Sequence, residues 1–385
     1  MRPEECPPSL SLSQISLSSK RRVFPKLQNA TRDFAFAFDI DGVLLRGKLP
    51  LEGAKQTLEM LQANSIPFIL LTNGGGLSEA DHAARLGLRL TMSIDEEQFV
   101  QSHTPFKKFV QQYKDDWIVV LGGHGSVVKE LAATYGFNRE KIITSSDIAK
   151  HHPSIHPFPE ISSGYHDKYG NIADDFSHEE KIAAVFVFTS PRDWICVDLL
   201  LSVNGQLGTR SSLNGNAKLP NHGYQQDGQP LVFWCNPDLQ WATPHATPRL
   251  AQGAFRAALE GIWTSLTKGK ADLQSWTCGK PTSTTYDYAE QILNKYHQKI
   301  KPFSTTPVRK VYMIGDNPES DICGAILANE TSTLDWKSVL VETGVHKAGT
   351  KPEHKPTETK TNVWEAVRWA VGNETKVDVG ELPEA

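Results

Sequence analysis

Asp39 and Asp41 stand two residues apart at the end of the apolar run Phe34–Phe38, just before Gly42. On a strand, the side-chain period of two sends both carboxylates to one side, ~7 Å apart along the chain. Carboxylates this close, with no lysine or arginine beside them, are costly unless they share a proton or a cation. Mg²⁺, a hard ion that prefers oxygen ligands, would remove that cost. Asp316 and Asp321 form a second acidic pair behind another apolar run, Val311–Ile314, and Gly315. A third run, Ile66–Leu71, stops at Thr72-Asn73-Gly74-Gly75-Gly76. An Asp-x-Asp alone is common on surface turns. Two acidic ends of apolar runs and a Thr-Asn end, each beside glycine, form a far more specific pattern.

For these residues to meet, the runs must be neighbouring strands with their carboxyl ends together. Gly53–Asn64 has helical periodicity, Trp117–Leu121 and Ser338–Val341 read as further strands, and Gly122-Gly123-His124-Gly125 leads into a helical stretch through Tyr135. Strands alternating with helices predict an α/β fold, a Rossmann-like parallel sheet with helices on both faces. Ligands in such sheets sit in the crevice beyond the carboxyl ends of the strands, where the polar residues above fall.

Between Ser145 and Gly269 the texture changes. His151–Pro159 is rich in Pro and His, Gly164–Asp175 is polar, Ala183–Phe188 and Leu231–Trp234 read as strands, and Arg249–Leu266 reads as a helix. This stretch is long enough for a small inserted α/β domain. The expected organisation is a disordered tail or targeting segment (residues 1–30), a core (31–145 and 273–375) and an inserted cap (146–272). Lys347–Asn362 reads as a solvated loop, and Val363–Val371 as a helix.

Lys and Arg number 40 against 44 Asp and Glu, a net charge of −4, which offers no electrostatic case for nucleic acid or an anionic membrane. The longest apolar runs fall far short of the ~18–20 residues that span a bilayer. Five scattered cysteines without CxxC spacing argue against a disulfide framework or a zinc ribbon and for a reducing compartment. Leu10–Arg22 is basic, hydroxylated and free of acids, equally compatible with a mitochondrial presequence and a plain tail.

FDIDGVL (38–44), LLTNGGG (70–76), CGKP (278–281) and IGDNPESDI (314–322) resemble the four motifs of the haloacid dehalogenase (HAD) superfamily. Their order, their spacing and GDNPxSD are similar to the class IIA phosphatases. TNGGG, PRDW (191–194) and NPDLQWAT (236–243) resemble the cat-eye-syndrome critical-region branch. The resemblance implies a HAD core with a C2-type α/β cap and a Mg²⁺-dependent phosphatase of small phosphorylated metabolites. It makes Asp39 the nucleophile that forms an aspartyl-phosphate. Asp41 becomes the acid and base at the leaving oxygen and the attacking water. Thr72 and the amides of Asn73 and Gly74 would hold phosphoryl oxygens, and Lys280 would offset the charge of phosphate and Asp39. Mg²⁺ would be held by Asp39, the backbone carbonyl of Asp41 and Asp316, while Asp321 orients Lys280 or a metal-bound water. The resemblance further implies a homodimer through the cap, a mitochondrial location, with the cytoplasm as the alternative, and a link to glycerophospholipid metabolism. A non-catalytic phosphate-binding protein and a phosphotransferase are the alternatives.

Other motifs read as structural. Gly122-Gly123-His124-Gly125 lacks the third glycine of a dinucleotide loop at Val128. His151, His152 and His156 lack cysteine or carboxylate partners and read as a polar loop. Trp241, His245, Arg249 and Cys278 read as structural, the last as a buried thiol.

Overall fold

The computed structural model describes residues 24–27, 33–151, 153, 159–171, 181–193, 196, 211–241, 243, 245 and 247–383. Two parallel sheets form the frame. The first has six strands in the order Glu358–Lys360, Asp335–Val341, Lys310–Gly315, Phe34–Phe38, Phe68–Thr72 and Phe99–Gln101. The second has five, in the order Ser275–Thr277, Leu231–Trp234, Ile182–Val187, Trp117–Leu121 and Ile142–Thr144.

The central strand Phe34–Phe38 shows why the first sheet is covered on both faces. Phe34, Phe36 and Phe38 point to one side, where they pack with Leu58 and Leu61 of helix Ala54–Ala63 and with Trp364 and Val367 of helix Val363–Thr375. Ala35 and Ala37 point to the other, against Tyr286 and Leu293 of helix Ser283–Ile300 and Ala325 of helix Cys323–Thr331. A strand buried on both faces reads as an unbroken apolar run rather than an alternation, as FAFAF does.

The sheet register brings the polar ends together. Phe38 pairs with Ile314 on one side and Leu70 on the other. Asp39, Asp316 and Thr72 therefore leave the same edge of three adjacent strands. The parallel direction and the helices on both faces match the expected Rossmann-like core.

The boundaries differ from the expected ones. Trp117–Leu121 and Ile142–Thr144, placed in the core by the 145/146 boundary, belong to the second sheet, which runs from Trp117 to Thr277 in the chain. Arg249–Leu250 is a short strand paired with Gln240–Trp241, and the helix begins only at Gln252. The expected loop Lys347–Asn362 contains the edge strand Glu358–Lys360, whose backbone pairs with Val339–Val341. Such an edge needs no apolar side chains, so nothing in its composition announces it. Within the 1–30 segment, Phe24 and Leu27 are buried on the first sheet's core and the Leu27 amide donates to Asn64 Oδ1 at 3.0 Å, so this part is packed rather than disordered. The presequence reading of 10–22 and the histidines at 152 and 156 fall outside the described residues. Among the described residues no helix is long and apolar enough to cross a membrane.

Candidate active site

Asp39 follows the central strand directly, and its amide donates to Ile314 O at 3.0 Å, which fixes the side chain at the sheet edge. Gly42 turns the chain at a φ of 93°, and a Cβ there would collide with the Asp316 carboxylate. Asp316 Oδ2 accepts from the Val345 amide at 2.6 Å. Oxygens of Asp39, Asp316 and Asp321, all buried, lie within 4.8 Å of one another.

Lys280 is 1% exposed and arrives from the other sheet, three residues beyond the strand Ser275–Thr277. Its Nζ donates to Asp39 Oδ1 at 2.7 Å and to Asp321 Oδ1 at 2.6 Å. Burial would by itself discharge this ammonium, but the carboxylates of Asp321 and Asp39 outweigh it and hold the lysine well above its ordinary value. Asp321 Oδ2 accepts from the Asn317 amide at 3.0 Å, so both of its oxygens are engaged. That is the geometry of a residue that aims Lys280.

The acids remain short of positive charge. Burial, then Asp39 and Asp321, push Asp316 well above the usual carboxylate range. Burial raises Asp321 to about 6 against the pull of Lys280. Asp41 is raised to about 7 by burial and by Asp39, with Arg89 and Lys280 pulling it back. One lysine among these carboxylates leaves a charge deficit that either protons or a hard divalent cation must fill. The all-oxygen donor set suits such a cation.

Thr72 is buried, and its Oγ1 accepts from the Gly74 amide at 3.0 Å. Asn73 has a structural part that sequence reasoning did not foresee. Its Oδ1 accepts from the Lys280 amide at 2.7 Å, while its Nδ2 donates to Lys280 O at 2.9 Å and to Asp238 Oδ2 at 3.0 Å. Asn236 Nδ2 donates to Asn73 O at 2.9 Å. Asn236 and Asp238 thus tie the second sheet to the Thr72–Gly76 loop. Asp238 is raised to about 7, chiefly by burial. The segment 236–243 carried the family resemblance, but its contacts with Asn73 span more than 160 positions and leave no local trace.

His103 also escaped notice. Its Nε2 accepts from the Gly76 amide at 3.0 Å, so Nδ1 carries the proton and donates to Tyr135 Oη at 2.7 Å. Tyr135 in turn donates to Glu79 Oε1 at 2.9 Å. Gly75 packs so closely on the imidazole that a Cβ would strike it. Complete burial pushes His103 down to about 3, whereas in the unfolded chain it titrates near ~6.5. As pH falls below ~6.5 the unfolded chain gains a proton that the folded one refuses, so stability contributed above that pH is lost, by about 2–3 kcal/mol at pH ~4.5. Urea melts of the wild type and His103→Gln between pH 7 and 4.5 should show a loss of that size absent from the variant. Equal losses would show that His103 is not held neutral.

A cavity of about 740 Å³ opens over these residues. Its floor holds Asp39, Asp41, Thr72–Gly75, Lys280 and Asp316, and its walls include His82, Arg85 and Arg89 of helix Glu79–Leu90, Thr189–Arg192, Asn236, Asp238 and Trp241. Trp241 pairs with Arg249 across a two-strand flap at its rim. Among the described residues His245 bonds only within its own turn, to Thr243 and Thr247. Cys278 is buried, with its thiol held well above its usual value by burial, and shows no sign of activation.

Fold and site together define a HAD-type hydrolase. The family model for haloacid dehalogenase-like hydrolases matches residues 36–138, and a HAD-hydrolase-like model matches 277–366. The chain belongs to the haloacid dehalogenase-like hydrolases. It is 36% identical over 364 residues to a mitochondrial hydrolase of Saccharomyces cerevisiae, covering 88% of this chain and 96% of that protein. It is 41% identical over 346 residues to a cardiolipin synthase (CMP-forming) / mitochondrial hydrolase fusion protein of Schizosaccharomyces pombe, covering 88% of this chain but only 53% of the fusion. Among solved structures, a hypothetical protein of Pyrococcus horikoshii is similar with a TM-score of 0.55 at 20% identity, over 88% of this chain and 99% of that one. A glycerol phosphate phosphatase of Mycobacterium tuberculosis, solved with calcium, has a TM-score of 0.52 at 17% identity, over 88% of this chain and 76% of that one. These two likenesses concern the fold.

Proposed function

We propose that this enzyme is a Mg²⁺-dependent phosphatase that hydrolyses a small phosphorylated metabolite through an aspartyl-phosphate on Asp39. The observation that carries the reading is the floor of the cavity, where Asp39 is gripped by Lys280 at 2.7 Å amid buried acids beside a carboxyl that titrates near neutrality. An Asp39 oxygen attacks phosphorus and the bond to the leaving oxygen breaks, with Asp41 giving that oxygen its proton. Water then attacks phosphorus, the bond to Asp39 breaks, and Asp41 takes the proton from the water. Thr72 and the amides of Asn73 and Gly74 hold the phosphoryl oxygens, and Lys280 offsets charge on phosphate and nucleophile. Mg²⁺ would be held by Asp39, Asp316 and the backbone carbonyl of Asp41, and it supplies charge neutralisation to the phosphate dianion. Asp321 stays with Lys280.

The test is phosphate release from a panel of phosphorylated metabolites with Mg²⁺ and with EDTA. Turnover should appear with the metal and fall by at least ~100-fold without it. Mg²⁺ in excess of its Kd should also raise the Tm, by mass action on the folded state. A melting shift without release from any ester would favour the non-catalytic phosphate-binding alternative.

Asp41 at about 7 implies an acid that is half protonated near neutrality in the free enzyme. kcat/KM should therefore fall on an alkaline limb at or below pH ~7, as the proton needed by the leaving group is lost. Asp41→Asn should remove that limb together with most of the turnover of esters with poor leaving groups. A limb that survives the substitution would assign the acid elsewhere.

The names of the two yeast relatives, both mitochondrial hydrolases in whole or in part, favour a mitochondrial location. The fission-yeast fusion with a cardiolipin synthase also favours a substrate related to phospholipid headgroups, such as a glycerol phosphate ester.

A further inference from the structure

We infer that the cavity holds a second anionic group of the substrate on Arg85, Arg89 and Arg192, so that the preferred substrates are phosphate monoesters bearing a further phosphate or carboxylate. The inference rests on the phosphatase reading of the same cavity.

Arg85 and Arg89 stand four residues apart on helix Glu79–Leu90, so they share one face, and both line the cavity. Arg192 lines the same cavity from the second sheet, on the loop that follows strand Ile182–Val187. Among the described residues none of the three forms an ion pair with a carboxylate, although the chain has more acids than bases. Arg89 makes one long bond, from Nη1 to Gly47 O at 3.4 Å. The loop carrying Arg192 is braced at the next residue, where Asp193 Oδ2 meets His166 Nε2 at 3.0 Å and His166 Nδ1 meets Ser146 Oγ at 3.0 Å.

Charge is thus segregated within one cavity. The acids and the buried Lys280 occupy the floor, and three guanidinium groups that form no ion pair among the described residues line the walls, with Arg89 within electrostatic reach of Asp41. The reacting phosphate is already met on the floor by Thr72, the Gly74 region and Lys280, so the wall arginines exceed what one phosphate needs. Guanidinium forks match carboxylate and phosphate oxygens in pairs, and such charge-assisted bonds are roughly twice as strong as neutral ones. A substrate with a single anionic group would leave this wall solvated. A substrate with two would span floor and wall, and orient its scissile bond against Asp39.

The experiment compares alkane-α,ω-diol bisphosphates of increasing length with the alkyl monophosphates of the same length, and adds ω-phosphonooxy alkanoates as a carboxylate arm. At one length or more, kcat/KM should favour the doubly anionic ester by about tenfold or more, and the Arg85→Gln/Arg89→Gln double variant should bring that ratio close to unity. Preference confined to one arm identifies the second anion as phosphate or carboxylate, and either supports the assignment. A ratio near unity at every length in the wild type, or one unchanged in the double variant, overturns it. Calorimetric binding of the same pairs to Asp39→Asn separates this inference from the reaction. If the wild type releases phosphate from none of them the phosphatase reading fails, while tighter binding of the doubly charged partner, or equal binding, still decides whether the wall holds an anion.

Discussion

Asp39→Asn is expected to lower kcat for every phosphate monoester by at least ~10⁴-fold, the scale on which removal of a covalent nucleophile acts. The amide is nearly isosteric but cannot form the acyl phosphate, so no partial pathway through the same atom remains. The substitution also removes one of the negative charges that crowd the floor, where Asp316 and Asp321 are already raised by burial and by Asp39. Folding should therefore survive, with a Tm equal to or above that of the wild type in the absence of divalent cations. Undiminished turnover in a folded Asp39→Asn protein would assign the nucleophile to another residue.

Lys280→Met carries the second large effect, on stability as well as rate. The ammonium is buried between Asp39 and Asp321, at 2.7 and 2.6 Å. Breaking a buried ion pair by removing one partner costs ~3–5 kcal/mol, because the charge left behind has neither water nor a counter-ion. Two carboxylates are left here, so they must take up a proton or a cation. Loss of a positioned charge on the phosphoryl group should cost about 10²–10³-fold in kcat. Denaturant melts and phosphate-release assays check both, and added Mg²⁺ should recover more stability in the variant than in the wild type. A variant as stable as the wild type without metal would show that the lysine does not neutralise this pair.

Much of the site was legible before any coordinates, for a physical reason. FAFAF, the Ile66–Leu71 run and the Val311–Ile314 run are apolar on both faces, and only a central parallel strand makes that affordable in water. The residue types at their ends then fall at one sheet edge. The same reasoning misplaced Trp117–Leu121, since WIVVL is as apolar as FAFAF and nothing in a run says which sheet it joins. Its partners, Ile182–Val187 and Ile142–Thr144, decide that, and one of them lies more than 60 residues away. Arg249 was read into a helix because only its pairing with Trp241 makes it a strand. Asn73, Asp238 and His103 were opaque in a different way. Each acts through hydrogen bonds to backbone or side chains distant in sequence, which neither spacing nor composition encodes. The arginines of helix Glu79–Leu90 carry no signal in the sequence, because only the second sheet, distant in the chain, supplies the other side of the cavity they line.

The phosphorylation of Asp39 is the central claim, and rapid acid quenching during turnover tests it most directly. After mixing with a substrate and Mg²⁺, peptide mass spectrometry should find the transferred phosphoryl group on the peptide containing Asp39, and on no peptide from the Asp39→Asn protein. Steady phosphate release with no phosphorylated enzyme at any quench time, or a phosphoryl group on a different residue, would contradict the account.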